Sequence, residues 1–557
     1  MRLVGVSHRA VGASAILLVG VVGGQEAAAI ITSGTNGFNG SYVNDLVGAN
    51  RLYNAGFTGT SSIVANIEAG LVWNGHDTLG HVTTQIVGTG ANGGVDRHAT
   101  WCGQTIAGRS TLGLPNLERG IAYGATLWSG AVATSWNGAA YTGSFNTTTA
   151  SEMTPYRTAF LTGVNGQTAD VINSSWGSGG VGQTGFTIRT VALDSLSNQT
   201  GKLIVFSAGN DGPNPNTVGD PAVGANIFSV GALHFDGAAF STIANFSSRG
   251  PQSWYNPNTG LTVPNSKAPV DISAPGDTLT LAFYGGTTGG NTGGAASGGP
   301  DFFSFNVQGT SFAAPIVAGG AALLIDAARG MNVAPKGTDA RVVKAVMMNS
   351  TDKPAGWTNN PTNPGGVWTT SQGLDWVYGA GALNLNRGFD QMFAGDRDVA
   401  GTGGGTIQPI GWDYGQVSNG SPNNYLFNSV LQAGSPFAAT LNWFSNDLFN
   451  FTTLTGAAAG SLFDLNLQLL RGTPGNETLV AQSIATNGNL TEHIYFTIPT
   501  TDNYFLRVVF GGTIYNFTGD ALSEEYGLAW SVPAPSSVVV LVAGIGCIGR
   551  RRRPRDA

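Results

Sequence analysis

The chain has 557 residues, of which 41% are hydrophobic and only 10% are charged, so it is long enough for several domains and can bury apolar cores. A net charge of −7 and the lack of Cys/His zinc spacing argue against a nucleic-acid-binding or zinc-finger protein. With only two cysteines, Cys102 and Cys547, a disulfide framework is excluded as well. The 84 glycines favour the long polar loops of an extracellular protein.

The first residues have the composition of a targeting segment. Arg2 and Arg9 precede an apolar run at residues 15–22, and three alanines at 27–29 follow it as a small-residue cleavage site. This order predicts a secretory signal peptide over residues 1–29, followed by a polar linker over 30–42. The alternative is a buried N-terminal strand. The signal-peptide interpretation predicts a secreted protein.

The last residues, 532–557, have a second targeting pattern. A Pro-x-Pro motif at 533–535 precedes an apolar run at 538–548 and an arginine cluster at 550–553. The apolar run is shorter than the roughly 20 residues that a membrane-spanning helix needs. The segment resembles the bacterial PEP-CTERM sorting signal, with Ala534 where that signal usually has Glu. The resemblance implies delivery to the cell envelope and processing by a sorting peptidase.

Residues 43–395 are predicted to form an α/β domain. Near-continuous apolar runs at 62–67, 169–176 and 202–208 alternate with helical stretches, among them 311–328 and 340–349. Such a pattern predicts a parallel sheet covered by helices on both faces. The glycine-rich residues 285–299 are predicted to form a flexible loop.

Residues 402–531 change to a period of two. Apolar residues alternate with polar ones around 464–469, 493–498 and 504–510, between turns rich in Gly, Asn and Pro. This pattern predicts an antiparallel β-sandwich. It contains no convergent set of catalytic side chains, so we expect an accessory domain for binding or stability, with a ligand that the sequence does not identify.

Ser311 is the first candidate catalytic residue. It lies in Gly309–Pro315, GTSFAAP, before an alanine- and leucine-rich run that predicts a buried helix. The start of a helix favours negative charge, so a tetrahedral oxyanion would be stabilised there. The alternative is that Ser311 is only the N-cap of this helix.

A serine nucleophile needs a base, and the base needs an orienting acceptor. His98 opens a predicted helix of small residues, whereas the other five histidines lie in the signal peptide, polar segments, a strand end or the sandwich: His8, His76, His81, His234 and His493. Glu68 ends an apolar strand, where α/β sheets present catalytic groups. Asp96 is a weaker orienter because it is only two residues from His98. Cys102, four residues after His98, is either a nucleophile or, as we predict, a small buried residue.

Five motifs carry a family resemblance over roughly Val43 to Phe389. They are GTSFAAPIVAG at Ser311, HATWCGQTIAG at His98, VFSAGNDGP at Asn210, ANFSSRGP at 244–251 and ISAPG at 272–276. The chain resembles the subtilisin-like serine peptidases, or subtilases. The histidine motif departs from the family at Ala99, Trp101, Gly103 and Gln104, whereas Cys102 matches one cysteine-containing subgroup. The main departure is Glu68, where the family has Asp.

The resemblance implies a role for each of these residues. Ser311 is the nucleophile, His98 the general base and acid, Asn210 the oxyanion donor, and Glu68 the third member of a Ser-His-Glu triad. The resemblance implies substrate-binding walls at Ser175, Trp176, Gly177, Ser207, Ala208 and Gly209. No cofactor is needed for catalysis. Subtilases often bind structural calcium, but no loop of this chain concentrates carboxylates, so no metal ligand is assigned.

The sequence therefore predicts a secreted serine endopeptidase of the bacterial cell envelope that acts on polypeptides with broad specificity. The rival hypothesis is a catalytically inactive surface or binding protein on a subtilase fold, favoured by Glu68 and the divergent histidine motif. A second rival is an esterase with the same triad, which the peptide-groove segments disfavour.

Overall fold

The computed structural model describes residues 40–111, 118–136, 144–236, 239–282, 303–396 and 403–532. The predicted signal peptide 1–29, the linker up to residue 39, the glycine-rich residues 285–299 and the sorting segment from residue 533 onward lie outside the described residues.

A mixed sheet of eight strands forms the centre of the first region. Seven strands run parallel in the order β12-β8-β7-β6-β1-β3-β2, and β9 pairs antiparallel with β8 at one side. The strands up to residue 370 are β1 (Ile63–Glu68), β2 (Thr84–Val87), β3 (Thr126–Ala131), β4 (Ser135–Trp136), β5 (Phe145–Asn146), β6 (Val171–Ser174), β7 (Leu203–Ser207), β8 (Phe228–Phe235), β9 (Phe240–Ile243), β10 (Gln252–Asn256), β11 (Leu261–Lys267), β12 (Ile272–Pro275), β13 (Leu279–Ala282), β14 (Phe303–Val307) and β15 (Trp368–Thr370).

Helices cover both faces of this sheet. The described helices are α1 (Gly40–Leu46), α2 (Asn50–Asn54), α3 (Arg97–Ala107), α4 (Thr149–Arg157), which continues as a π-helical turn (Thr158–Thr162), α5 (Ile188–Thr200), α6 (Thr310–Gly330), α7 (Ala340–Asn349) and α8 (Leu385–Ala394). Two 3-10 turns, Lys336–Thr338 and Pro364–Gly366, accompany them.

The alternation of side chains along β1 separates the two layers. Val64 packs in the core that contains α3 and α6, whereas Ala65 and Ile67 pack in the core on the opposite face. Glu68, four residues after Val64, therefore ends the strand on the α3 and α6 side. Helix α6 is long and apolar enough to cross a membrane, but that part of it is 100% buried inside the protein, which makes it the central core helix.

The second region consists of two packed sheets. One joins seven strands in the order β15-β22-β21-β24-β18-β16, with β20 on β21, and the other has the order β17-β25-β19-β23. The strands are β16 (Gly405–Ile407), β17 (Ile410–Ser418), β18 (Asn423–Phe427), β19 (Pro436–Trp443), β20 (Asn446–Asn450), β21 (Thr455–Thr473), β22 (Asn476–Ser483), β23 (Thr491–Thr497), β24 (Tyr504–Asn516) and β25 (Ser523–Ser531). The predicted fold class, a helix-covered parallel sheet followed by an antiparallel β-sandwich, is confirmed.

The two regions share buried surface. Trp412 and Phe444 of the sandwich pack in the core around α6, and Phe449 and Phe451 pack in the core on the other side of the central sheet. Strand β15 lies before residue 395 but pairs with β22 in a sheet of the second region. The predicted domain ranges 43–395 and 402–531 stay a prediction, because this pairing crosses the predicted boundary.

Candidate active site

The candidate residues collect where parallel strands end and two helices begin. Glu68 is the last residue of β1, and Ser175 follows the last residue of the neighbouring strand β6. Helices α3 and α6 carry His98 and Ser311 in their first turns. The two helix starts are in contact, because the rings of His98 and Phe312 lie 5.5 Å apart between centroids. Because the carboxyl ends of parallel strands share one edge, residues distant in sequence meet there.

Glu68 and His98 are in direct contact. Oε2 of Glu68 lies 3.2 Å from Nδ1 of His98, and the carboxylate is fully buried whereas 21% of the histidine side chain is exposed. The other oxygen, Oε1, accepts a hydrogen bond of 2.9 Å from the backbone N–H of Ser175. One carboxylate thus holds the imidazole while the end of β6 holds the carboxylate.

The pKa values of this pair shift together. Burial raises the pKa of Glu68, and the hydrogen bond from His98 opposes this rise. Burial lowers the pKa of His98, but Cys102 and Glu68 raise it well above its ordinary value. Burial also raises the pKa of the Cys102 thiol to about 11, so that thiol is neutral near pH 7. The Glu68 carboxylate is therefore the charge that acts on the ring.

Asp96 has a different task from Glu68. It is the N-cap of α3, and its Oδ1 accepts a hydrogen bond of 3.0 Å from the backbone N–H of His98. This bond satisfies one of the helix-start N–H groups that have no intrahelical partner. Asp96 thus fixes the start of the helix that carries His98, and Glu68 contacts the ring.

Cys102 is fully buried beneath the histidine. Its Sγ lies 3.8 Å from Nδ1 of His98 and donates to the carbonyl oxygen of Ser311 at 3.4 Å. A buried thiol with a raised pKa is a poor nucleophile, so Cys102 acts as packing between the two helices.

Glu68, His98 and Cys102 are the three-ligand cluster found in the described part of the chain, with ligand atoms within 4.8 Å of one another. Sulfur and nitrogen donors suit a soft ion rather than calcium, which takes oxygen ligands. Structural calcium therefore stays a prediction without an assigned site.

Ser311 is the second residue of α6, and Gly309 occupies the N-cap position instead. Gly309 has φ of +150°, a conformation that favours glycine. The Ser311 side chain donates a hydrogen bond of 3.2 Å to the carbonyl oxygen of Ser175. Because another residue caps the helix, the N-cap alternative does not explain Ser311, and its hydroxyl lies among the groups of the candidate site.

Asn210 is oriented by the residue before the serine. Its Oδ1 accepts hydrogen bonds from the backbone N–H of Thr310 at 2.9 Å and from the Thr310 hydroxyl at 3.0 Å. With its oxygen engaged in this way, the Nδ2 group stays available, and it lies 3.7 Å from the position that a Cβ atom on Gly309 would occupy. Asn210 is exposed, so this amide can donate to a ligand at the start of α6.

The predicted substrate walls follow the adjacent strands β6 and β7. Gly177 is exposed, whereas Trp176 points inward, where its Nε1 donates to the carbonyl oxygen of Ile67 at 3.0 Å. The Trp176 ring thus packs against the sheet, and the assignment of Ser175, Trp176 and Gly177 to a substrate wall stays a prediction. The second predicted wall begins at Ser207, the last residue of β7, and continues through Ala208 and Gly209. Ser207 and Ala208 are buried, and Gly209 is half-buried.

Sequence reasoning missed two buried amides below the site. Asn66 and Asn173 are fully buried, and Nδ2 of Asn173 donates to Oδ1 of Asn66 at 2.9 Å. The signal was available, since Asn66 lies between Ala65 and Ile67, and Asn173 follows the apolar residues Val171 and Ile172. Burying an amide is costly unless it is hydrogen-bonded, so a lone amide in such a strand is as informative as a charged residue.

The remaining described histidines lie in other environments. Nδ1 of His76 lies 3.0 Å from the Thr78 hydroxyl, and burial lowers the pKa of His81 to about 4. His234 pairs with Asp277, and Nε2 of His493 lies 2.9 Å from Nζ of Lys353. Among the described histidines, His98 is the one placed beside Glu68 at the start of α6.

Comparison with known proteins addresses the family of the chain. Residues 73–381 match the subtilase family. The serine protease AprX of Bacillus subtilis (strain 168) is 32% identical over 187 residues, which are 33% of this chain and 34% of AprX. Pyrolysin of Pyrococcus furiosus is 31% identical over 188 residues, 30% of this chain and 12% of pyrolysin. The chain therefore spans about a third or less of the length of these relatives.

Among solved structures, the prenylagaramide maturation protease PagA aligns over 62% of this chain and 99% of its own, at 21% identity and a TM-score of 0.43. The family match covers more than half of the 557 residues and includes His98, Asn210 and Ser311, while Glu68 lies just before it. This chain belongs to the subtilase family.

Proposed function

We propose that the chain is a secreted serine endopeptidase in which Ser311 is the nucleophile, His98 the general base and acid, and Glu68 the acid of a Ser-His-Glu triad. The observation that carries the proposal is the 3.2 Å contact between Glu68 Oε2 and His98 Nδ1, at the point where α6 presents Ser311. A carboxylate on Nδ1 fixes the tautomer that leaves Nε2 as the proton acceptor.

The first step is attack by Ser311 on the substrate carbonyl carbon. Its hydroxyl rests on the carbonyl oxygen of Ser175 and must leave this partner to give its proton to His98. Catalytic hydrogen bonds are often long or differently aligned before substrate binds. The imidazolium that forms is stabilised by Glu68, which is buried and held by the Ser175 N–H.

The oxyanion that develops in this step needs donors that are already in place. Asn210 supplies its Nδ2, because Thr310 holds the amide oxygen on the other side. The first turn of α6 adds backbone N–H groups that have no intrahelical acceptor. Loss of one oxyanion donor costs about 10²–10³ in turnover, a magnitude that comes from subtilisin itself. His98 then returns the proton to the leaving amine, and water repeats the sequence on the acyl-enzyme.

Polypeptides are the substrates that fit the proposed walls. An extended peptide pairs with exposed backbone such as that of Gly177, a mode of recognition that depends little on side chains. The names of the relatives, serine protease AprX among them, support peptide hydrolysis. Secretion and removal of the segment 532–557 by a sorting peptidase belong to the same proposal and rest on the terminal sequences. We further propose that any bound calcium is structural.

Labelling with a fluorophosphonate probe, together with casein digestion, tests the proposal. Ser311→Ala should abolish both signals, because the probe reacts only with an activated serine. The matched control is Ser195→Ala, which removes a buried hydroxyl from α5 outside the site and should retain both. Casein cleavage by Ser311→Ala at the wild-type rate would show that the nucleophile is assigned wrongly.

The same assays separate the rival functions. If the wild-type protein is labelled and hydrolyses simple esters but not casein, it is an esterase. A correctly folded wild-type protein that shows neither labelling nor turnover is the inactive subtilase-fold binding protein.

A further inference from the structure

A pair of asparagines lies directly below the Glu68–His98 contact. Asn66 on β1 and Asn173 on β6 are register partners in the central sheet, and both side chains are fully buried. Asn66 is two residues before Glu68, so the two side chains lie on the same face of β1. Asn173 is two residues before Ser175, whose backbone N–H donates to Glu68. The same spacing therefore places Asn173 and Ser175 on one side of the chain at the end of β6.

The hydrogen bonds of this pair lead to both members of the contact. Nδ2 of Asn66 donates to the carbonyl oxygen of Ala99, the residue after His98, at 3.1 Å. Oδ1 of Asn66 accepts from Nδ2 of Asn173 at 2.9 Å. The same Nδ2 of Asn173 lies 3.5 Å from Oε1 of Glu68. Asn66 is thus hydrogen-bonded through Nδ2 to the helix that carries His98 and through Oδ1 to the Asn173 amide that faces Glu68.

Stability alone is a poor reason for this arrangement. Val64 precedes Asn66 on the same face and is an ordinary apolar core residue. An apolar side chain at position 66 would avoid the desolvation of an amide, which costs free energy even when hydrogen bonds replace water. Oδ1 of Asn173 also has no hydrogen-bond partner among the described residues, so the pair is not fully satisfied. A buried polar network that costs stability but links two site-bearing elements points to positioning.

We propose that Asn66 is a positioning residue that sets the distance and orientation between Glu68 and His98. Its amide N–H ties the start of α3 to the central sheet, and its carbonyl oxygen turns the amide of Asn173 towards the glutamate. This inference rests on the proposed function, because it concerns how the triad is held. It also bears on the glutamate, whose side chain is one methylene longer than aspartate and needs support at its far end.

Removing the amide should weaken the coupling of Glu68 to His98. Asn66→Val suits a β-strand and has no polar atom to hold either partner. The matched control is Asn442→Val in the sandwich, where a fully buried amide donates to the Leu490 carbonyl oxygen at 2.8 Å and to the Thr491 hydroxyl at 2.9 Å. Both variants lose a buried amide with two contacts, but only one of them lies below the site.

The first measurement needs no catalysis. NMR titration of the His98 ring in a Ser311→Ala background reports its pKa directly. We expect Asn66→Val to lower that pKa by about half a unit or more, because a carboxylate that is held less well stabilises the imidazolium less. Asn442→Val should leave it unchanged. The other titratable groups that act on this pair are Asp96, Cys102 and Tyr156, and neither variant alters them.

The second measurement separates positioning from loss of stability. In active protein, Asn66→Val should lower kcat by about tenfold or more with KM within about twofold, since misplaced catalytic groups slow the chemical step. The double variant Asn66→Val/Asn173→Val should lose no more kcat than Asn173→Val alone, because the two amides act in series. If Asn66→Val does not fold, Asn66→Thr keeps a hydroxyl on the same face and should show a smaller fall in both quantities.

The outcomes distinguish this inference from the proposed function. An unchanged His98 pKa in Asn66→Val, with the same loss of kcat as in Asn442→Val, would overturn the positioning role while leaving the peptidase intact. An unlabelled, inactive wild-type protein would reject the proposed function, and the His98 titration would still decide whether Asn66 controls the contact.

Discussion

Two histidines of this chain, the partly exposed His98 and the fully buried His493, have opposite surroundings. His98 faces the carboxylate of Glu68 at 3.2 Å, and its pKa is raised well above the ordinary value against the effect of burial. His493 faces the ammonium of Lys353 at 2.9 Å, and burial together with this charge lowers its pKa well below the ordinary value. Burial lowers the pKa of both rings, and only at His98 do neighbouring groups, Cys102 and Glu68, reverse this effect.

The tautomer of His493 follows from its partners. Burial lowers the pKa of Lys353 to about 7. In its ammonium form Lys353 only donates, so Nε2 of His493 accepts from it and Nδ1 donates to the Thr440 hydroxyl at 2.8 Å. That hydroxyl donates in turn to Oδ1 of Asn349 at 3.1 Å. Both ring nitrogens are engaged, and the chain of bonds joins the sandwich to the end of α7. His493 is therefore a structural connector.

The ring of His98 is held differently. Its Nδ1 side is fixed by Glu68, and 21% of the side chain remains exposed at the edge where α6 begins. A base must gain and lose a proton during turnover, which a ring locked between two internal partners cannot do at little cost. Exposure of one ring edge, together with a carboxylate on the other, distinguishes His98 from His493 as the catalytic candidate.

Among the variants that test this contrast, the largest effect is expected from removing the charge of Glu68, which contacts His98. Glu68→Gln keeps the shape but no longer stabilises the imidazolium, so kcat should fall by about 10³–10⁴-fold, as with loss of a triad acid. Lys353→Met is the matched control, since it removes the charge beside His493, and its kcat should stay within about twofold. Turnover measured on folded protein with active-site titration provides the comparison.

A fall in kcat of similar size in both variants would break the distinction, because it would mean that the effect comes from general destabilisation. Full activity in Glu68→Gln would remove Glu68 from the triad.

The sequence predicts those helices and strands whose hydrophobic pattern lies within the element itself. The helix predicted at 340–349 agrees with Ala340–Asn349, and the buried run 311–328 lies within Thr310–Gly330. The strand predicted at 62–67 agrees with Ile63–Glu68 to within one residue at either end. Each of these elements has an unbroken apolar pattern of its own, so its existence depends little on distant residues.

Contacts that join distant strands could not be predicted in the same way. Nothing near Trp368–Thr370 indicates that this segment pairs with β22 more than a hundred residues later. Trp176 follows β6, and the direction of its ring depends on how β6 meets β1, because its Nε1 donates to the carbonyl oxygen of Ile67. Asn66 and Asn173 acquire a role only when two strands far apart in sequence become neighbours.

The pH dependence of activity should differ between the variants at Glu68 and Lys353. Because the pKa of His98 is raised, the ring is protonated over a wider pH range, and the basic form appears only above that pKa. We expect kcat/KM to rise about tenfold per pH unit below a midpoint that lies above the ordinary histidine value of about 6.5. Glu68→Gln should move this midpoint to lower pH, whereas Lys353→Met should leave it in place.

Stability should respond in the opposite sense. The raised folded-state pKa of His98 means that the stability contributed by its protonation is complete below the unfolded pKa of histidine and is lost as the pH rises through the folded pKa. His493 has a lowered pKa, so its burial costs stability as the pH falls below its unfolded value. A kcat/KM midpoint below about 6.5 in the wild type would contradict the assignment of His98 as the base held by Glu68.

The smallest expected effect concerns Asp96, the other carboxylate near His98. Its Oδ1 accepts from the His98 N–H at 3.0 Å as the N-cap of α3, and its Oδ2 has no hydrogen-bond partner among the described residues. Asparagine caps a helix as well as aspartate does, so Asp96→Asn should keep the start of α3 in place and lower kcat by less than about tenfold, or roughly 1.4 kcal/mol in the barrier. Asp96→Ala should lose about 0.5–2 kcal/mol of unfolding free energy, measured by urea denaturation, because the cap is gone. If Asp96→Asn instead abolishes turnover while Glu68→Gln is active, Asp96 is the acid, and the contact between Glu68 and His98 is structural like that between Lys353 and His493.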